Sequence, residues 1–228
     1  MSSGNIINDS RSDNYINGTQ VYILGDFSSK EMNELTGNLG ELIFSLQPIP
    51  TYRSSGTITS PYDTKNIKNP IIDIFIDSTG GNENALQNLS TLLNIAKSRG
   101  IIIRITVLSR AFSAGSLLAI QGTPGFRIMA HDARHMIHFG STSLIAKNPD
   151  DITIRAQQIA DQKKIIQEKY KIYSKIPKKE LDKMMRCESG YLTADECLKY
   201  GLCDWIISER GKLISAADMK QKILQKTI

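Results

Sequence analysis

Cysteine is scarce. Cys187, Cys197 and Cys203 are the only three in 228 residues, too few and too unevenly spaced for a disulfide framework, and no two form the Cys-x-x-Cys pair of a zinc site. A stapled secreted fold is thereby excluded, and a reducing cytoplasmic setting is expected. Long apolar runs are missing too. No stretch approaches the roughly 18 residues needed to span a bilayer, and the opening MSSGNIINDSRSDNYINGTQ is polar throughout, so neither a membrane span nor a leader is expected. Charge of one sign is not spread over the chain. The net +5 concentrates between Lys163 and Arg186, where nine Lys/Arg face three acids. Basic residues on a long helix are ordinarily its wet face, and no aromatic platform is interleaved with them, which argues against nucleic-acid binding.

What is present is the material of an ordinary globular domain. The chain is 40% hydrophobic, and at this length about 70–75% of the unfolded surface can be buried around a single core. Residues 1–18, rich in Ser, Asn and Asp, read as a flexible arm, 19–210 as one α/β domain, and 211–228 as a tail. Val21 to Leu24 reads as a short strand. Ser28 and Glu31 have the spacing of a capping box, opening a helix with Met32, Leu35, Leu39, Leu42 and Leu46 on one face. A loop or hairpin rich in turn formers comes next. Ile71 to Asp77 is a buried strand, a Gly-Gly turn leads to a helix through Leu86, Leu89, Leu93 and Ala96, and Ile101 to Leu108 is a second β-branched strand. SRAFSAGS reads as a tight turn before a helix from Ser116 to Gln121. FRIMA and HMIHF add strands, and this alternation implies parallel strands joined by crossovers. Ile152, Ala156, Ile159, Ile166, Tyr170 and Tyr173 trace one stripe along a helix of about six turns, long enough to leave the globule and need a covering partner. Thr193 caps a short helix that Gly201 stops.

Three points on this scaffold suit acyl transfer. Ser113 lies between a strand and a helix among residues small enough to expose backbone, so its hydroxyl and the adjoining Ala114 amide are placed for attack and for oxyanion binding; the alternative is a simple N-cap. Gly80 and Gly81 offer bare amides before another helix, or serve the turn sterically. A phosphate loop is excluded because GxxxxGK[ST] is absent and Glu83 would repel phosphate. In HMIHF, alternation sets His138 and Met136 on one face and His135, Ile137 and Phe139 on the other, so His138 is the candidate base. His131 lies in a polar turn, and HDARH does not converge as a metal site would; no metal or cofactor is expected.

The combination of IDSTGG, SRAFSAGSLLA, HMIHFG and YLTADECLKYGLCDWI, in that order, resembles the proteolytic subunit of Clp protease, the ClpP family of serine peptidases. The resemblance runs from about Val21 to Ile207 and implies the ClpP/crotonase-like α/β fold, with stacked β-sheets, crossover helices and a protruding handle helix. It maps Ser113 to the nucleophile, His138, 25 residues on, to the base, and the Gly81 and Ala114 amides to the oxyanion donors. It further implies a homo-oligomer of stacked heptameric rings, a tetradecamer in all, unfolded polypeptide as substrate and an AAA+ unfoldase as partner.

Several positions depart from the family pattern. Thr79 replaces a proline, Asp77 an asparagine, and Phe112 a small residue, which is expected to reshape the pocket wall. The aspartate that would orient the base falls on Met185, which cannot do so. Glu188 and Asp182 lie nearby, and Glu188 is taken as the third member. The stretch after the base, STSLIAK, keeps β-forming character suited to adding a peptide strand. The rival readings are a catalytically silent ring subunit, an acyl-CoA enzyme of the same broad fold, and a Ser-Lys peptidase indifferent to His138.

Overall fold

The computed structural model describes residues 13–47, 58, 60–65, 67–140, 148–186 and 190–219. Five strands run parallel through its centre: β2 (Gln20–Ile23), β3 (Ile71–Ser78), β4 (Ile102–Phe112), β5 (Arg127–Ala130) and β8 (Trp205–Ile207). β1 (Asn14–Asn17) and β9 (Leu213–Ser215) close the two edges as antiparallel hairpin partners. The sheet order is β1-β2-β3-β4-β5-β8-β9, while β6 (Arg134–Met136) pairs with the far end of β4 and with β7 (Tyr191–Thr193).

Helices α1 (Ser29–Ser45) and α2 (Glu83–Ser98) pack on this sheet through periodic apolar faces. Met32, Leu35, Leu39 and Ile43 of α1 and Leu86, Leu89, Leu93 and Ala96 of α2 are buried, together with Ile72, Ile74 and Ile76 of β3. Near the end of α1 the inward position is Ile43, with Leu42 only partly buried. Ser28 stands at the N-cap of α1 without a side-chain cap bond. Glu31 instead accepts from Asn14 Nδ2 at 3.1 Å, so the expected capping box is not formed. The one at Thr193, opening α6 (Ala194–Tyr200), is complete.

Two stretches read as arm and tail contribute strands. β1 lies within residues 1–18 and β9 within 211–228. Neither has a strong apolar signal: β1 is held by backbone pairing, by buried Asn14, and by Tyr15 stacked on Tyr22 at 4.7 Å.

The larger difference concerns β4. Its register against β3 shifts after Ile76↔Val107, so that Ser78 faces Ala111. Two extra residues on β4 are absorbed there, and Leu108, Ser109 and Arg110 are exposed. Such a bulge bends the strand and re-aims the residues beyond it. The Asp77 carboxylate secures it, accepting from the Arg110 backbone amide at 3.1 Å and from Arg110 Nε at 2.8 Å. The strand therefore continues to Phe112, and the expected eight-residue turn contracts to Ser113.

α4 (Pro149–Tyr173) is capped by Asn148, which accepts from Asp151 N at 2.9 Å. Only its C-terminal part is covered. Ile166 and Tyr170 are buried, whereas Ile152 and Ile154 are 49% and 58% exposed. Its last residue is clasped to β5. Asp204 accepts from the Gly125 and Arg127 amides and from the Arg127 guanidinium, which also donates to the Tyr173 carbonyl at 2.7 Å. Arg127 is buried, so Asp204→Ala strands its charge and is expected to cost about 3 kcal/mol in chemical denaturation, the scale for breaking a buried pair.

Candidate active site

The bulged end of β4 delivers Ser113 to the head of α3 (Ala114–Ala119) with φ 54° and ψ −118°. Among the described residues it is the one non-glycine with positive φ, a conformation that costs about 1–3 kcal/mol and persists only where the surroundings over-determine it. They do so here. The Ser113 amide donates to the Met136 carbonyl at 2.9 Å, and Gly80 lies directly behind the residue. A Cβ on Gly80 would stand 2.6 Å from the Phe112 carbonyl, 2.8 Å from Ser113 Cβ and 2.9 Å from Ala114 N. The hydroxyl makes no capping bond, so the N-cap alternative does not account for this serine.

Gly81 and Ala114, the expected amide donors, line the same cavity as Ser113. Gly81 forms a parallel bridge with Phe27, in which Phe27 N donates to the Gly80 carbonyl at 2.7 Å and Asn82 N to the Phe27 carbonyl at 3.0 Å. The intervening Gly81 N–H points to the opposite side of that bridge. Ala114 is the first residue of α3, and its N–H has no intrahelical acceptor. Among the described residues neither amide is hydrogen-bonded.

His138 is reached through β6. Phe112 pairs with Met136, and Ile137 N donates to the Gly190 carbonyl at 3.0 Å, so extended backbone continues past the strand's last residue. His135 and Ile137 are buried while Met136 and His138 are half-buried, the alternation expected of the sequence. Ser113, His138, Gly81 and Ala114 line one cavity of about 740 Å³. No hydrogen bond joins Ser113 to His138 among the described residues, and both line the cavity. Phe112, expected in the wall, instead meets the Tyr191 ring edge-on at 5.4 Å.

The remaining wall comes from α2, α3 and α4. Leu86, Leu117, Ile165 and Ile166 make it apolar, and Glu83, Gln87, Gln162 and Lys169 bring polar groups. Burial raises the Glu83 pKa and lowers that of Lys169, whose ammonium donates to Gln87 Oε1 at 3.4 Å. Sequence reasoning does not single out Gln162 and Lys169. Their step of four and three through Ile166 is the available signal, since it places them on one face of α4.

Neither Met185 nor Asp182 lines the cavity. Met185 is 4% exposed within the core. Asp182 accepts from Gln167 Nε2 at 2.8 Å. Glu188 and STSLIAK lie outside the described residues. Glu188 precedes by two positions Gly190, the partner of Ile137.

The one Ser–His hydrogen bond among the described residues is elsewhere. Ser116 Oγ lies 2.9 Å from His135 Nδ1 and 2.8 Å from the Tyr170 hydroxyl, and at 0%, 2% and 1% exposure no substrate reaches it. Burial, aided by the Arg127 charge, pushes the His135 pKa down to about 3 from its ordinary 6.5. Between those values the unfolded chain binds a proton that the folded chain refuses, so stability decreases as pH falls, by about 1.4 kcal/mol per unit. Urea unfolding from pH 7 to 4.5 is expected to show this slope, and His135→Asn to flatten it by one proton. His131 is a surface residue, 3.3 Å from Glu209. Cys197 and Cys203 are buried thiols whose pKa values burial raises, which makes them poor nucleophiles. Among the described residues no three His, Cys, Asp or Glu side chains gather to hold a metal, and no helix is long and apolar enough to cross a membrane.

Comparison with known proteins meets this geometry. The Clp protease family model matches residues 62–210. Over 139 residues the chain is 29% identical to ATP-dependent Clp protease proteolytic subunit 4 of Streptomyces avermitilis, covering 61% of this chain and 60% of that one. It is 28% identical over 139 residues to proteolytic subunit 2 of Streptomyces coelicolor, covering 61% and 62%, and 27% identical over 143 residues to proteolytic subunit 2 of Leifsonia xyli, covering 62% of each. The match thus spans about three fifths of these relatives' length. With the family model covering well over half of this chain, and with the mixed α/β sheet and several helices that the resemblance implied, the chain belongs to the Clp protease family.

Proposed function

We propose that this chain is a Clp-type serine endopeptidase subunit that cleaves unfolded polypeptides through Ser113 and His138. One observation carries the reading: an uncapped serine at a strained turn, a histidine and two unbonded amides line the same cavity. In the reaction, Ser113 Oγ attacks the peptide carbonyl carbon as its proton passes to His138. The carbonyl oxygen takes the negative charge between the Gly81 and Ala114 amides, where one donor is worth about 10²–10³ in rate. His138 then gives its proton to the departing amine, leaving an acyl-Ser113 ester. Water, deprotonated by His138, releases the acid and restores the serine. Glu188 is the proposed orienting acid, because it is two positions from Gly190, whose carbonyl accepts from the Ile137 amide.

Family relationship supports assembly into rings in the cytoplasm, enclosing these sites, with the uncovered part of α4 as the inter-ring contact and an AAA+ unfoldase as the source of extended substrate. Met185 favours a second reading, a ring subunit that shapes the chamber without cutting. Hydrolysis of a fluorogenic peptide by the assembled protein separates the two. His138→Ala is expected to lower kcat by about 10⁴, Glu188→Gln by a comparable factor and Asp182→Asn by little. Undiminished hydrolysis in His138→Ala would remove the proposed base, and no hydrolysis by the assembled parent protein would favour the silent subunit.

A further inference from the structure

The buried triplet Tyr170–Ser116–His135 joins three pieces of the molecule that each carry part of the site. Ser116 is one helical turn beyond Ser113 on α3, the helix whose first amide is that of Ala114. His135 lies beside Ala111 in the β4–β6 register, three residues before His138. Tyr170 belongs to α4, next to cavity-lining Lys169. One hydroxyl, with hydrogen bonds of 2.9 and 2.8 Å, bridges all three. We propose that Ser116, His135 and Tyr170 are positioning residues, a polar clamp that presses α3 against β6 and α4 and so maintains the backbone of Ser113 and the aim of the Ala114 amide.

The physical case rests on what the alternatives would do. Ser113 occupies a conformation that relaxes if the helix after it is free to tilt, and the contacts that block relaxation come from behind, through Gly80, and from the side, through Met136. Apolar packing alone is tolerant of small shifts in helix orientation, whereas two hydrogen bonds to one buried hydroxyl fix distance and direction together. The triplet stays neutral because burial and Arg127 disfavour the imidazolium and burial disfavours the phenolate. It touches no substrate space, so its effect on chemistry is exerted through Ser113 and Ala114 alone.

The catalytic part of this inference rests on the Ser113–His138 reading, and the test keeps the two apart. Hydrogen–deuterium exchange of residues 113–121 is compared among the parent protein, Ser116→Ala, Tyr170→Phe and His135→Asn, with thermal melting as a check on folding. In parallel, the rate of covalent modification by a fluorophosphonate and the kcat and KM for a fluorogenic peptide are measured. Ser116→Ala is expected to speed exchange in 113–121 while leaving α1 and α2 unchanged, and to lower the modification rate and kcat by about 10–100-fold with KM within threefold. His135→Asn, which keeps a hydrogen-bonding group near the Nδ1 position, is expected to stay within threefold of the parent. Should a folded Ser116→Ala exchange and react like the parent, or should exchange rise equally everywhere, the clamp is refuted. If the parent itself is not modified, the peptidase reading fails, and the exchange pattern alone decides the clamp.

Discussion

Ser113→Ala is expected to lower turnover of an unfolded polypeptide by at least about 10⁴-fold while the fold and assembly persist. The magnitude comes from the division of labour. Without the hydroxyl no acyl-enzyme forms, His138 has nothing to deprotonate, and only the two amides and substrate binding remain to assist water. The fold is expected to survive because the hydroxyl makes no capping bond; the strained backbone of residue 113 is maintained by its amide bond to Met136 and by Gly80. Alanine tolerates that backbone no better than serine, so stability should change by under about 1 kcal/mol. Peptide hydrolysis and thermal melting, measured on one preparation, check both halves.

Gly80→Ala is the second large effect, and it acts through space rather than chemistry. Gly80 has φ +96°, and its missing side chain leaves room for the Phe112 carbonyl and for Ser113 and Ala114. Two of those three atoms are main chain and cannot rotate aside, so the new methyl group must displace the turn itself. Overpacking and backbone strain together are expected to cost about 2–4 kcal/mol. Displacement of the Ala114 donor should lower the rate by a further factor of about 10²–10³ among molecules that remain folded. Gly37→Ala supplies the control. Gly37 lies in α1, where an added methyl group would find nothing within 4 Å, and alanine there is expected to stabilise by about 0.5–1 kcal/mol. Parallel melting curves and peptide kinetics distinguish a local effect at Gly80 from a general one.

Much of the site can be read from residue order because the parts that carry it are local. A serine among small residues, a glycine pair before a helix, and an alternating strand with a histidine each declare themselves within about ten positions. The structure brings Ser113 and His138 to one cavity through the long-range β4–β6 register, which sets Phe112 beside Met136. The bulge is not legible, because the residues that form it, Leu108 to Arg110, lack a strand's alternation; their geometry is imposed by Asp77 and by pairing with β6. β1 and β9 are hidden for a similar reason. Their pairing is backbone-led, at sheet edges where one face is wet, and leaves little hydrophobic pattern.

The triplet escapes sequence reasoning because Ser116, His135 and Tyr170 are separated by 19 and 35 positions, and each alone fits a helix or strand without remark. Alternation correctly sets His135 on the face opposite His138, yet nothing in its neighbours identifies a serine three residues past Ser113 as its partner. Met185 shows the converse. A side chain at the position of the expected acid is fully employed in the core, so that position serves packing here, and on the proposed mechanism the orienting group must come from another residue such as Glu188.

Covalent modification by a fluorophosphonate, located by peptide mass spectrometry, tests the central claim most directly. The account predicts a single adduct on Ser113 that disappears in Ser113→Ala and forms far more slowly in His138→Ala. An adduct on a different serine, or an assembled protein that takes up no reagent at all, would contradict it.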